Sequence, residues 1–230
     1  TISNLEIRGN SYLGLFGSLS PDAVIYNVNI KTATINGKQY VGSLAGLNNG
    51  GHITSCAALG IVTANDHVGG LVGVNAGNML ACVSQGKVSG PSGSVGGLAG
   101  TSSGSIVSSQ STSEVVGGQL HTGGLVGDNS GCIVSSSSMN PGDPTQNHLT
   151  ASGRTISISA ASGSNTSVSG KSHMGGLVGS NSGHIAACYS TRKVEQLLSN
   201  GESLGGLAGY NSGSIVSSYS TGYVYGVDKV

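Results

Sequence analysis

Tryptophan is missing from this chain, phenylalanine occurs once at Phe16, and only 8% of the 230 residues are charged, nine basic against nine acidic. A charge so sparse and balanced attracts neither nucleic acid nor an anionic membrane surface, and no nucleic-acid partner is expected. No apolar run approaches the ~20 residues that cross a bilayer, so direct membrane insertion is not expected either. The opening stretch TISNLEIRGN lacks the basic-then-apolar layout of an export signal. It has the pattern of mid-strand residues, which suggests a piece of a longer, exported chain. Cys56, Cys82, Cys132 and Cys188 form neither a CxxC metal pair nor a dense disulfide framework, and they leave the redox compartment open.

Glycine, by contrast, is abundant at 41 residues. Such a level accompanies disorder when apolar residues are diluted, but here the 37% apolar fraction recurs at fixed spacing, the mark of an ordered chain. Aligned on the leucine of a recurring GGL core, the chain repeats at Leu15, Leu44, Leu71, Leu98, Leu125, Leu177 and Leu207, with steps of 29, 27, 27, 27, 52 and 30 residues. The 52 is close to twice the unit. Within it, LTASGRTISIS places Leu149, Ala151, Gly153 and Ile156 roughly where other units hold leucine, glycine, turn glycine and isoleucine. That stretch is counted as a degenerate unit, which makes eight; a loop of about 25 residues on one face is the alternative. Residues 1–230 are then one repeat domain, with units starting near 12, 40, 67, 94, 121, 147, 173 and 203.

Each unit carries fixed columns. Eight residues after the leucine stands Met79, Ile106, Ile133, Ile185 or Ile215, and Ile53 follows after nine. Three residues further on come Cys56, Cys82, Ser109, Ser136, Cys188 and Ser218. From there SYSTGYVYG alternates, with Ser218, Ser220, Gly222 and Val224 on one side and Tyr219, Thr221, Tyr223 and Tyr225 on the other. The first side is small or apolar throughout, as at Val62, Val88 and Val194; the second holds charges such as Lys87, Glu114, Lys193 and Glu195. Segregation of period two identifies half-buried strands. Asn48, Asn75, Asn129, Asn181 and Asn211 share a turn column, and glycine follows two residues later in most units. These residues are expected at sharp corners because both tolerate a left-handed backbone. The unit reads as three short strands, with little or no helix.

A three-stranded unit of ~27 residues buries its apolar side only by lying on its predecessor, which makes the chain a parallel β-helix, right-handed by the crossover rule. Leucine stacks on leucine (Leu71, Leu98, Leu125, Leu177, Leu207), isoleucine on isoleucine (Ile106, Ile133, Ile185, Ile215), and asparagines hydrogen-bond along their column (Asn75, Asn129, Asn181, Asn211). Glycine recurs for the corners and because a narrow interior has little room.

The recurring string, clearest as GGLAGYNSGSIVSSYSTGYV from Gly205 to Val224, resembles the GLUG repeat. The resemblance runs from about Tyr12 to the end and weakens over 139–165. It implies a large bacterial cell-surface or secreted parent, adhesin-like or related to the non-catalytic part of IgA-cleaving metallopeptidases, with neighbouring domains in the same chain. No catalytic or ligand-binding residue travels with the motif.

Other motifs have plainer explanations. GGLVG opens a strand turn, where a dinucleotide loop opens a helix. VSGKS at 168–172 lacks the first glycine of a phosphate loop, since that position is Asn165. Gly100-Thr101-Ser102-Ser103-Gly104 matches GxSxG, but Ser102 falls in the asparagine column and is read as structural. His67, His121 and His173 precede their GGL cores by the same offset and are read as solvated corner residues; His67 and His121 lie two coils, ~10 Å, apart, too far to share a metal. No HExxH occurs. The cysteines are expected to be free thiols acting as small buried groups. No metal and no cofactor are expected.

The remaining outward feature is Tyr189, Tyr219, Tyr223 and Tyr225, a candidate binding surface for a host glycan or protein; the plainer reading is that the rings cover the next coil or stack on one another. The sequence therefore points to a non-enzymatic structural or adhesive module, a rod on a bacterial cell-surface or secreted protein. The alternatives are a carbohydrate-active β-helix enzyme of the lyase or glycosidase kind and a passive spacer. Against catalysis, the outward charges are scattered singly.

Overall fold

The computed structural model describes residues 1–140, 149–151, 154–156, 167–197 and 201–226. Those residues form an all-β solenoid without helix, built from one twelve-stranded and three seven-stranded sheets in which equivalent strands of successive coils pair in parallel. No helix among them is long and apolar enough to cross a membrane. Each coil crosses the four sheets in turn: a short strand ending in the first glycine of GGL, a strand ending in asparagine, a strand centred on isoleucine, and a longer segment on the twelve-stranded sheet.

The stacking is in register. Val68 pairs with Val95, Asn75 with Ser102, Met79 with Ile106, and Val88 with Val115. The leucine column is continued by main-chain bonds such as Leu98 N–H to Leu125 O at 2.8 Å and Leu125 N–H to Leu177 O at 2.8 Å. The interior is a set of parallel apolar ladders: Leu44, Leu71, Leu98, Leu125 and Leu177, the Ile53-to-Ile185 column, and the valines of the long sheet are all buried.

Seven coils stack, one fewer than the eight read from the period. Val126 pairs directly with Val178 and Ile133 with Ile185, so nothing intervenes between the units at 121 and 173. The chain steps out of the long sheet after Ser138, which pairs with Ser190, and rejoins it at Ser167, where Val168 lies against Val115. Leu149–Ala151 and Arg154–Ile156 pair antiparallel with each other, Leu149 opposite Ile156, and join no column. Gly153, the turn glycine of the supposed unit, lies outside the described residues. The extra 25 residues are thus an insertion at one point of one face, and seven coils make a rod of about 34 Å.

The corners also differ from expectation. The stretch IVSSYS, taken as one strand, is two, broken at Ser217. Ser55, Ala81, Ser108, Ser135, Ala187 and Ser217 share that column with φ between 47° and 53°. In this column the left-handed backbone is held by serine and alanine, and among the described glycines only Gly50 and Gly86 take positive φ, at 95° and 119°. The turn asparagines are not in that region either. At about 1–2 kcal/mol per residue the left-handed corners persist because the stack holds them: Ala81 N–H bonds to Val107 O at 3.0 Å and Ser108 N–H to Val134 O at 3.0 Å.

Candidate functional site

The asparagine column shows what repetition is used for. Asn48 Nδ2 donates to Asn75 Oδ1 at 2.8 Å, Asn129 Nδ2 to Asn181 Oδ1 at 2.8 Å, and Asn181 Nδ2 to Asn211 Oδ1 at 2.7 Å. Each second amide hydrogen closes the turn on a glycine carbonyl, as from Asn75 to Gly77 O at 3.2 Å. Ser102, fully buried, takes the hydrogen of Asn75 at 3.2 Å. Its GxSxG setting is accordingly part of a structural ladder. The serine is too short to continue it, and among the described residues Asn129 Oδ1 is buried without a partner. Replacing Ser102 by asparagine would join the two ladder halves; the variant is expected to gain about 1–2 kcal/mol, read as a raised urea midpoint with unchanged slope.

The corner column beside it is also chemical in a structural way. The amide of Cys82 donates to Ser109 Oγ at 3.1 Å, that of Ser109 to Ser136 Oγ at 3.1 Å, and that of Cys188 to Ser218 Oγ at 3.1 Å. The hydroxyls donate in turn to the carbonyl two residues back, and the thiols make the same contact, Cys82 Sγ to Leu80 O at 3.4 Å. All four cysteines are free, and Cys132 alone is partly exposed. Burial pushes the Cys56 and Cys188 thiols up and that of Cys82 up to about 12, so these are protonated groups with poor nucleophilicity.

Two outward ion pairs stand on the long sheet. Lys87 meets Glu114 at 3.1 Å across two coils and Lys193 meets Glu195 at 3.0 Å. Arg192, which sequence reasoning did not single out, is fully buried; burial pushes its guanidinium down to about 9, while Glu114 opposes the shift. The signal that could have found it is register: the position two residues before Val115, in the preceding unit's equivalent column, is the inward Ser113. A shallow groove of about 480 Å³ runs beside Pro91, Gln119 and Lys171, with one cation and no acid to work with.

Of the four tyrosines, the structure brings two together. Tyr189 and Tyr219 are register partners whose rings stack at 5.4 Å and 9°, and the Tyr189 hydroxyl donates to Met139 Sδ at 2.8 Å. Stacking covers the facing sides of the two rings, and the Tyr189 hydroxyl is turned onto the buried Met139. Tyr223 and Tyr225 are 83% and 62% exposed on the same side of the last coil, with Tyr225 beside Glu195. Their faces, with the exposed part of Tyr219, are the open aromatic surface there.

A second run of rings, of which the sequence offered only the histidines, lies along the corner that precedes GGL. Tyr12 stacks on Tyr40 at 4.8 Å and Tyr40 contacts His67 at 5.0 Å; further along, His121 contacts His173 at 5.3 Å and His173 meets Tyr210 edge-on at 5.5 Å. Ser94 separates the two runs. His67 Nδ1 lies 2.8 Å from Asp66 and His121 Nδ1 3.9 Å from Asp128. Comparison of the chain with protein-family models, curated proteins and solved structures finds no match to any of them.

Proposed function

We propose that the chain is a structural and adhesive module, a rigid rod of stacked coils that displays a ligand-binding face on a bacterial cell-surface or secreted protein. The location follows the resemblance of its repeat to the GLUG family. The reading is non-catalytic: the interior columns are occupied by packing and ladder bonds, and Glu6, Glu114 and Glu195 of the long sheet pair with basic side chains instead of with one another. The observation that carries it is the group Tyr219, Tyr223 and Tyr225, whose 57%, 83% and 62% exposure the stacking does not account for. Exposed rigid rings with a hydroxyl suit a host glycan or protein surface.

Glycan and host-protein arrays probed with the native chain and with Tyr219→Ala, Tyr223→Ala, Tyr225→Ala combined test this. The triple variant should fold unchanged and lose tenfold or more in binding. Equal binding, or none by either protein, would favour the passive spacer, and product release from a uronate-containing polysaccharide would favour the enzyme.

A further inference from the structure

We propose that His121 and His173 form an open site for a divalent transition-metal ion of the zinc, nickel or copper class, which clamps the fifth coil to the sixth across the insertion. The two histidines are 52 positions apart in sequence, but direct pairing of their coils places them side by side: Thr122 is the register partner of Met174, and Thr122 N–H bonds to His173 O at 3.1 Å. Their ring centroids are 5.3 Å apart and the planes are inclined by 50°.

That separation suits coordination. An ion bonded at about 2.1 Å to one nitrogen of each ring would stand about 3.2 Å from each centroid, and two centroids 5.3 Å apart then subtend about 109°, the tetrahedral value that zinc adopts. Coordination requires the side-chain torsions to turn one nitrogen of each ring toward the ion. Asp128 Oδ2 lies 3.9 Å from His121 Nδ1, which is buried without a hydrogen-bond partner; a small side-chain shift would let the carboxylate accept that N–H and leave Nε2 for the ion, as carboxylates do for metal-bound imidazoles. Both imidazoles are partly exposed, so an ion can enter.

Among the described residues no three His, Cys, Asp or Glu side chains gather as a metal-holding group. The protein therefore supplies two ligands and water the remainder, in the manner of an open site. The ion would tie together two residues 52 positions apart in the chain, a constraint whose value grows with the length of chain enclosed.

His67 is the internal control. It occupies the same column with its own acid, Asp66 at 2.8 Å, but its neighbours are Tyr40 and the serine of the next coil. Zinc chloride is titrated into the untagged chain by calorimetry, with unfolding temperature followed in parallel. The native chain and His67→Asn should each take up one ion per chain and unfold at a higher temperature with zinc. His121→Gln and His173→Asn should weaken zinc at least tenfold and lose the shift; asparagine suits position 173, whose φ is 44°. Circular dichroism checks that each variant is folded. Absence of uptake by the native chain, retention of the ion by either variant, or its loss from His67→Asn would overturn the site.

Discussion

Gly123→Ala is expected to cost the rod about 4 kcal/mol or more of stability, read as a sharply lowered urea midpoint. A Cβ at Gly123 would overlap the carbonyl oxygen of Val126 in its own coil and stand 2.7 Å from the Gly179 amide nitrogen in the next. Both obstacles are main chain, fixed by the ladder, so no side-chain rotation relieves them. The same encounter recurs at Gly69, Gly96, Gly175 and Gly205. The second glycine of each core is blocked differently: at Gly124 a Cβ would run into Gly176 O and Ser138 Oγ. Against typical domain stabilities of about 5–15 kcal/mol, a loss of about 4 kcal/mol or more removes between roughly a quarter and most of the margin. Gly9→Ala is the contrasting case, since its Cβ would meet only the mobile end of Leu13 at 3.0 Å; there the lower conformational freedom of alanine should leave stability within about 1 kcal/mol of the native chain. Urea unfolding of the two variants decides the matter, and similar midpoints would mean that the glycines serve chain flexibility instead of close approach.

This steric requirement explains how much of the fold was legible. A column that returns every 27 residues with the same side chain, as at Leu71, Leu98 and Leu125, has a simple parallel solution in which like stacks on like, and the paired registers bear it out. The asparagine ladder and the structural place of Ser102 followed from the same alignment. The number of coils did not, because an insertion of 25 residues is close to one period and LTASGRTISIS carries leucine, glycine and isoleucine at near-unit spacing. Periodicity measures spacing and is blind to whether a segment pairs with its neighbours. The corners were hidden for another reason: alternation of small and large residues runs through Ser217 without a break, and a left-handed serine looks like any other serine in a chain so rich in them.

The candidate sites depended on that count. The outward tyrosines were found from alternation alone, and the stacking of Tyr189 on Tyr219 is what in-register placement of two identical rings produces. The His121–His173 contact could not be read while an extra coil was placed between them; removing it shortens their separation from two coil spacings to one. Arg192 escaped notice because charge beside charge suggests solvent, whereas the position belongs to the inward side of its strand.

Cys82→Ser should match the native chain in stability at pH 7 and exceed it by about 4 kcal/mol at pH 12. Serine already fills this column at Ser109 and Ser136, with the same donation to the carbonyl two residues back, 2.9 Å in both. The substitution therefore keeps the corner bonds and removes only the titrating group. Burial pushes the Cys82 thiol from an ordinary 9.0 up to about 12, with the neighbouring Cys56 adding to the effect. A raised acid pKa means that the fold favours the protonated thiol. Its contribution is complete below pH 9, where the unfolded chain is also protonated, and drains away between pH 9 and 12 as the unfolded thiol ionises and the buried one does not. Arg192 acts with the opposite sign in much the same window: its guanidinium is held down to about 9, so the unfolded chain retains the extra proton and the fold gains as pH rises. The native profile alone would mix the two trends, but the difference between variant and native chain cancels the arginine. Urea unfolding at pH 7, 9, 10 and 11 measures that difference; parallel profiles across the series would show that the thiol ionises as easily in the rod as in the open chain, and that the corner is wetter than its packing indicates.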